Sequence, residues 1–269
     1  MLFLIKLAII VYIALIALIV FLQRKLMYHP VRVMGNPAEH GLLNIQETFI
    51  TSSDGVKLQI WEHTAKPGYP TIVYFHGNAI NLSDRAPKFS AFADNGFGLV
   101  AVGYRGFGKS GGSISETGIY RDARAAVDYT LTHFSLTQKQ LIYYGESLGS
   151  GVAVQMATER TPGLLMLEAA YTSVETRSAE LYPFIIGVRH FVKDKYDSLS
   201  KIKNVHAPLL MLHGEEDAVI PIHHGKALFA AANDPKEMVI YKGVHHADFS
   251  NEQIVEPLIR ESKKLGLIE

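Results

Sequence analysis

The chain has 269 residues, which suits one large α/β domain better than two. Its 26 Lys and Arg residues balance 26 Asp and Glu residues, so no net positive field is present to attract nucleic acid. Hydrophobic residues make up 48% of the chain, which excludes an intrinsically disordered protein, and the absence of cysteine excludes disulfides, thiolate nucleophiles and cysteine-ligated metals.

The first 22 residues are apolar except for Lys6. A helix of this length, at about 1.5 Å per residue, crosses roughly 30 Å of hydrocarbon. The apolar run continues directly into polar residues, without the small-residue cleavage site of a signal peptide. We therefore predict a single-pass membrane anchor over residues 1–25. The basic residues Arg24, Lys25 and Arg32 behind it favour a cytoplasmic location for the rest of the chain.

Residues 26–269 show the pattern of one α/β domain. Residues 45–51 and 56–63 alternate apolar and polar side chains around a Ser-Asp-Gly turn, which predicts an antiparallel hairpin. Six short apolar runs follow, typical of parallel strands covered on both faces. They are Thr71 to Phe75, Gly98 to Val102, Leu141 to Tyr144, Leu164 to Leu167, Pro208 to Leu212 and Glu237 to Tyr241. Helical patterns separate them, so we predict an eight-stranded, mostly parallel sheet with flanking helices.

The segment from Gly145 to Gly149 combines a strand, a G-x-S-x-G motif and a helix. A serine is a useful nucleophile only when it is exposed and oriented, and a sharp strand-to-helix turn does both. Ser147 would also lie at a helix N-terminus, whose dipole favours the negative charge of an acyl-transfer intermediate. We therefore predict Ser147 as the nucleophile. The alternative is a glycine-rich turn without a catalytic role.

Two backbone amides are candidates for an oxyanion hole. The loop from His76 to Ala79 leaves the third strand and is of the kind that supplies one N–H donor, while the residue after the nucleophile supplies the other. We predict Asn78 and Leu148 as these donors. His76 itself is expected to hydrogen-bond backbone groups only.

An acid and a base follow Ser147 in the chain. Asp217 comes after the next to last strand, and His246 comes after the last one, which gives the order Ser, Asp, His. Glu215 and Glu216 are expected to be solvated. A metal site built from His245, His246 and Asp248 with the histidines at 223 and 224 lacks a recognisable ligand spacing, so we predict neither a metal nor a cofactor.

These motifs cover the chain from about Leu26 to its end and resemble those of the α/β-hydrolase superfamily. Within it, the anchor and five motifs are similar to membrane-associated α/β-hydrolase domain-containing serine hydrolases, often called the Bem46-like group. The motifs are Tyr28-His29-Pro30, His76 to Ala79, Gly103 to Gly108, Gly145 to Gly149 and Gly243-x-x-His246-x-Asp248. The resemblance implies a serine esterase, lipase or thioesterase, and some relatives remove palmitate from proteins. His245 departs from the small residue more common there.

Other functions remain open. Residues 103–110 match the phosphate-binding pattern G-x-x-x-x-G-K-[ST], but two glycines follow where a helix should begin, and Leu167-Glu168 is only the nearest candidate to bind magnesium. A P-loop NTPase, a catalytically inactive membrane-tethered binding protein, and a serine peptidase or acyltransferase of the same fold are the alternatives. The favoured function is hydrolysis of acyl lipid, acyl-protein or small esters and thioesters at a membrane.

The stretch from 174 to 203 fits no simple crossover and alternates aromatic and basic residues. Its apolar side chains need an apolar surface, and a pocket mouth or a membrane would provide one. We predict a small lid here, with Phe184 and Ile185 lining an acyl pocket.

Overall fold

The computed structural model covers residues 1–269 and begins with a long apolar helix, α1 (Leu2–Met27). Its composition and its 26 residues would allow it to cross a membrane. None of its side chains is fully buried, which distinguishes it from the core helix of a soluble domain.

Ten strands form two sheets. They are β1 (His29–Pro30), β2 (Gln46–Thr51), β3 (Lys57–His63), β4 (Thr71–Phe75), β5 (Ala79–Ile80), β6 (Gly98–Gly103), β7 (Leu141–Glu146), β8 (Leu164–Glu168), β9 (Leu209–Gly214) and β10 (Lys236–Tyr241). Eight of them make the main sheet, in the order β10-β9-β8-β7-β4-β6-β3-β2. The strand β3 runs antiparallel to both β2 and β6, and all other neighbouring strands of this sheet run parallel. The predicted eight-stranded, mostly parallel sheet is confirmed.

Eight further helices connect the strands. They are α2 (Ala86–Asp94), α3 (Glu116–His133), α4 (Leu148–Glu159), α5 (Val174–Leu181), α6 (Val188–Phe191), α7 (Ser198–Lys201), α8 (Ile222–Ala231) and α9 (Asn251–Lys264). Short 3-10 helices lie at Pro37–His40, Leu82–Arg85, Gln138–Gln140 and Ile202–Asn204. The helices α5 and α6 belong to the segment between β8 and β9 that fitted no simple crossover, and we call residues 174–197 the insertion.

Both faces of the main sheet are covered. Along β7, Leu141 and Tyr143 pack into one apolar cluster, whereas Ile142 and Tyr144 pack into the other. Successive side chains of a strand point to opposite faces, so a strand that is covered on both must be apolar throughout. The carboxyl ends of these parallel strands meet at one edge, where ligands of open α/β sheets bind.

The second sheet was not predicted. It consists of β1 and β5 in a parallel pair, with His29 opposite Ala79 and Pro30 opposite Ile80. These short strands tie the chain immediately after α1 to the loop that follows β4.

Candidate active site

Ser147 lies on a tight turn between β7 and α4. Its backbone has φ +51° and ψ −116°, a conformation that costs a non-glycine residue about 1–3 kcal/mol. A Cβ at Gly145 would overlap the backbone of α4, and one at Gly149 would overlap the carbonyl group of Phe75. The amide of Ser147 donates to the carbonyl of Glu168 at 2.9 Å, which anchors the turn to β8. These contacts explain why the motif needs glycine on both sides of the serine.

The three residues predicted as nucleophile, base and acid form one hydrogen-bonded chain. The His246 Nε2 atom lies 2.9 Å from Ser147 Oγ, and its Nδ1 lies 2.7 Å from Asp217 Oδ2. The other oxygen of the buried Asp217 accepts from the amides of Val219 at 2.9 Å and Ile220 at 2.7 Å. The carboxylate is thereby oriented, and it favours the imidazole tautomer with the proton on Nδ1.

The adjacent residue His245 does not reach this chain. Its side chain is 65% exposed, and its Nδ1 lies 3.2 Å from the carbonyl oxygen of Glu216. Glu215 and Glu216 are both exposed, consistent with the solvated loop that we expected. The turn at 243–248 therefore directs one imidazole inward and the other toward solvent.

Asn78 and Leu148 lie at the same cavity as Ser147. The Asn78 carbonyl accepts from the amide of His29 at 2.9 Å, which holds the loop in place. His76 is fully buried, and its Nδ1 lies 2.7 Å from the carbonyl oxygen of Gly77. Burial, together with the nearby cation of Arg85, lowers the pKa of His76 to about 3, so its ring is neutral at physiological pH.

A buried charge cluster lies beneath the turn, and sequence reasoning missed it. Lys88 Nζ lies 2.9 Å from Glu146 and 2.7 Å from Glu168, and Arg85 contacts Glu146 at 2.6 Å. Tyr74 and Tyr144 donate to Glu146 and Glu168, respectively. Burial alone would raise the pKa of Glu146, but the two cations hold it well below its usual range. The sequence signal that could have predicted this cluster is a glutamate at the end of an otherwise apolar strand.

An apolar cavity of about 440 Å³ leads to Ser147. Of its 23 lining residues, 16 are hydrophobic, so it suits an apolar ligand. Ile185 lines this cavity and is buried, as expected for an acyl-pocket residue. Phe184 does not line it: its side chain points outward and is 62% exposed. The turn after α5 sends these two neighbours in different directions, so the sequence expectation for Phe184 is corrected.

The segment from Gly103 to Ser110 does not form a phosphate-binding loop. Lys109 pairs with Glu47 at 2.8 Å, and Ser110 Oγ donates to the carbonyl of Gly103 at 2.6 Å. The next helix, α3, begins only at Glu116. Because no helix begins directly after this loop, it lacks the adjoining helix N-terminus whose dipole and amides hold phosphates.

Three side chains could present metal ligands away from Ser147. Glu180 of the insertion contacts His223 and His224 of α8, each at 2.9 Å. Arg177 also binds Glu180, at 3.0 Å, and a cation there would repel a metal ion. Burial would raise the pKa of Glu180, but the hydrogen bonds from the two histidines and Arg177 lower it to about 2. The cluster therefore links the insertion to α8.

Comparisons with known proteins agree with this fold. A family model described as serine aminopeptidase, S33, matches residues 69–193. The α/β-hydrolase domain-containing protein WAV2 of Arabidopsis thaliana is 30% identical over 246 residues, which cover 82% of this chain and 80% of WAV2. The lysophosphatidylserine lipase ABHD12 of Xenopus tropicalis is 30% identical over 71% of this chain and 54% of the lipase.

Among solved structures, the esterase Pf2001 of Pyrococcus furiosus superposes with a TM-score of 0.69 at 20% identity, over 89% of this chain and 97% of the esterase. The sheet order of this chain and that superposition define an α/β-hydrolase fold. The chain belongs to the α/β-hydrolase superfamily.

Proposed function

We propose that this protein is a membrane-anchored serine hydrolase that cleaves carboxylic ester or thioester bonds. The single observation that supports this most is the hydrogen-bonded chain from Ser147 through His246 to Asp217 at the end of an apolar cavity. The helix α1 is proposed as the anchor, with residues 26–269 as the hydrolase domain. The basic residues Arg24, Lys25 and Arg32 favour the cytoplasmic face for that domain.

The proposed reaction has two halves. Ser147 Oγ attacks the acyl carbon while His246 Nε2 takes its proton, and the backbone amides of Asn78 and Leu148 stabilise the oxyanion. The bond to the alcohol or thiol then breaks, and His246 protonates that leaving group. Water attacks the acyl-enzyme with His246 again as base, which releases the carboxylic acid and restores the Ser147 hydroxyl. Asp217 stabilises the imidazolium in both halves.

The lining of the cavity favours an acyl group over a peptide with a free amino terminus. An aminopeptidase needs a free carboxylate to bind the substrate ammonium group, whereas the one carboxylate in the lining, Asp194, is paired with Arg24 at 2.7 Å. The ABHD12 relative is named for hydrolysis of a lysophospholipid. We therefore rank lipid and small acyl esters or thioesters ahead of peptides.

The test of this function is covalent labelling. A fluorophosphonate probe should label the full-length protein at Ser147, because the probe reacts only with an activated serine beside an oxyanion hole. Ser147→Ala should lose both labelling and ester hydrolysis, whereas Ser150→Ala, three residues later in α4, should keep both, since the Ser150 hydroxyl has no hydrogen-bond partner. Labelling that persists in Ser147→Ala would contradict the assignment.

Ile185 and Phe184 provide a test of the acyl pocket. Ile185→Ser should lower hydrolysis of a palmitate ester about tenfold relative to an acetate ester, because it places a hydroxyl in the apolar lining. Phe184→Ser should leave that ratio unchanged in detergent, because the Phe184 ring faces away from the cavity. Rates for the two esters would be measured for both variants. An equal loss on both esters in Ile185→Ser would indicate a purely structural role.

A further inference from the structure

One face of α1 is partly buried against the domain, although the helix is apolar all round. The partly buried positions recur at three- to four-residue intervals, as one helical face requires. They include Tyr12, Ile16, Ile19, Val20, Gln23 and Met27. Neighbours such as Leu15 and Leu18 are about half exposed, at 47% and 53%. One side of the helix therefore contacts the domain, and another side is exposed and available for contact with lipid.

Hydrogen bonds connect this face of α1 to the insertion. Tyr12 supplies the sole polar side chain between Lys6 and Gln23, and its hydroxyl donates to the Phe184 carbonyl at 3.0 Å and accepts from the Ile186 amide at 3.1 Å. Gln23 bonds the backbone of the insertion farther along, accepting from the Lys193 amide at 2.7 Å.

The insertion therefore extends far along α1. Arg24 pairs with Asp194 near one end of the contact, and Tyr12 lies about 18 Å away along the helix axis. If α1 crosses a bilayer, the tip of the insertion, residues 182–186, lies within the hydrocarbon. Its exposed side chains suit that depth, since Tyr182, Phe184 and Ile186 are apolar or aromatic. Backbone N–H and C=O groups in hydrocarbon need hydrogen-bond partners, and the Tyr12 hydroxyl is the partner of one carbonyl and one amide of the insertion.

The same helix also meets the active-site loop. The side chain of Asn78 donates to the carbonyl of Met27, the last residue of α1, at 2.7 Å. Seven of the 23 residues that line the cavity at Ser147 belong to α1, among them Ile16, Ile19 and Val20. The sequence assigned this helix only an anchoring role. The structure adds that α1 forms one wall of the cavity and contacts the loop of the candidate oxyanion hole.

We propose that α1 determines acyl specificity, and that the acyl chain of a membrane-resident ester reaches Ser147 from the bilayer between α1 and the insertion. This inference rests on the function proposed above. An acyl chain that entered from solvent would first have to leave the hydrocarbon for water. A cavity whose wall is the membrane helix itself avoids that transfer, because one apolar surface runs from the lipid to the serine.

Tryptophan substitutions on two faces of α1 test the proposal in full-length protein held in phosphatidylcholine nanodiscs. Ile16→Trp and Val20→Trp would fill the cavity from its α1 wall. Leu15→Trp and Leu18→Trp are the matched controls, because they place the same side chain on the exposed face. Each methylene excluded from an apolar site costs about fourfold in rate, so exclusion of about three should lower the palmitate-to-acetate ratio about 60-fold. The controls should keep the ratio of the unmodified protein.

Three outcomes would overturn the proposal. An unchanged ratio in Ile16→Trp and Val20→Trp would show that α1 is not the acyl wall, with the hydrolase function intact. Equal loss on palmitate and acetate, with the controls active, would give α1 a role only in positioning the active-site loop. Absence of hydrolysis and of fluorophosphonate labelling in the unmodified protein would instead refute the hydrolase function on which the inference rests.

A measurement on the unmodified protein avoids any effect of substitution on folding. A fluorophosphonate with a long alkyl chain that ends in a diazirine would first react with Ser147, and light would then cross-link the chain end to whatever surrounds it. We expect cross-links in residues 16–20 of α1 and in residues 182–188 of the insertion. Cross-links confined to other parts of the domain would contradict the proposed entry path.

Discussion

Replacing His246 with alanine is expected to lower kcat about 10⁴-fold or more while the protein remains folded. His246 is the one imidazole that contacts both Ser147, at 2.9 Å, and Asp217, at 2.7 Å. Without it the serine keeps its proton during attack, and the leaving group receives none. Steady-state hydrolysis of a short ester, measured beside a thermal unfolding curve, would separate loss of chemistry from loss of fold.

His245→Ala is the matched control for that prediction. The side chain removed is also an imidazole, one residue away, but it is mostly exposed and its polar contacts are confined to the exposed Glu216. Its loss should change kcat by about twofold at most, as is usual for a surface substitution. If His245→Ala were nearly inactive and His246→Ala active, with both variants cooperatively folded, the base would be His245 and not His246.

Most of the fold could be predicted from the sequence because each strand carries its own signal. The six parallel strands are short apolar runs, and their predicted bounds differ from the observed ones by at most two residues. The small sheet of β1 and β5 was missed because each strand has only two residues, too few to show any periodicity. Its pairing depends on α1 being placed against the active-site loop, which is a tertiary effect.

The candidate site was predictable where residue type and chain order suffice. Ser147, Asp217 and His246 each follow the end of a strand. Because the carboxyl ends of parallel strands meet at one edge of the sheet, their positions after these strands predicted that the three residues come together. The insertion shows no period, so nothing in the sequence distinguished Ile185, which lines the cavity, from Phe184, which does not. Their orientation depends on the turn between α5 and α6.

The role of α1 could not be inferred for a different reason. A helix that is apolar on every side offers no pattern from which its protein-facing side can be recognised. Between Lys6 and Gln23 only Tyr12 carries a polar side chain, and its partners at Phe184 and Ile186 are more than 170 residues away in the chain. A lone tyrosine in an apolar helix predicts no particular contact until the insertion is placed beside it.

The buried charges beneath Ser147 lead to the second prediction, which concerns stability. Lys88→Met should lower the free energy of unfolding by about 3–5 kcal/mol, because Glu168 would lose its one cationic partner while fully buried. For a chain of this size that corresponds to a fall in Tm on the order of 10 °C. Lys109→Met, which breaks the half-exposed pair with Glu47, is the control and should cost about 1 kcal/mol or less.

The pH dependence of that loss distinguishes an electrostatic cause from a packing defect. Burial, together with the nearby carboxylate of Glu146, raises the pKa of Glu168 although Lys88 lowers it, and removal of the lysine should raise it further. A group whose pKa is higher in the folded state favours folding below its unfolded pKa and loses that contribution as the pH rises through the folded value. Denaturant unfolding of Lys88→Met should therefore show a larger deficit against the unmodified protein at about pH 8 than at about pH 5. A deficit that is equal at both pH values would mean that lost packing, not the unpaired carboxylate, destabilises the variant.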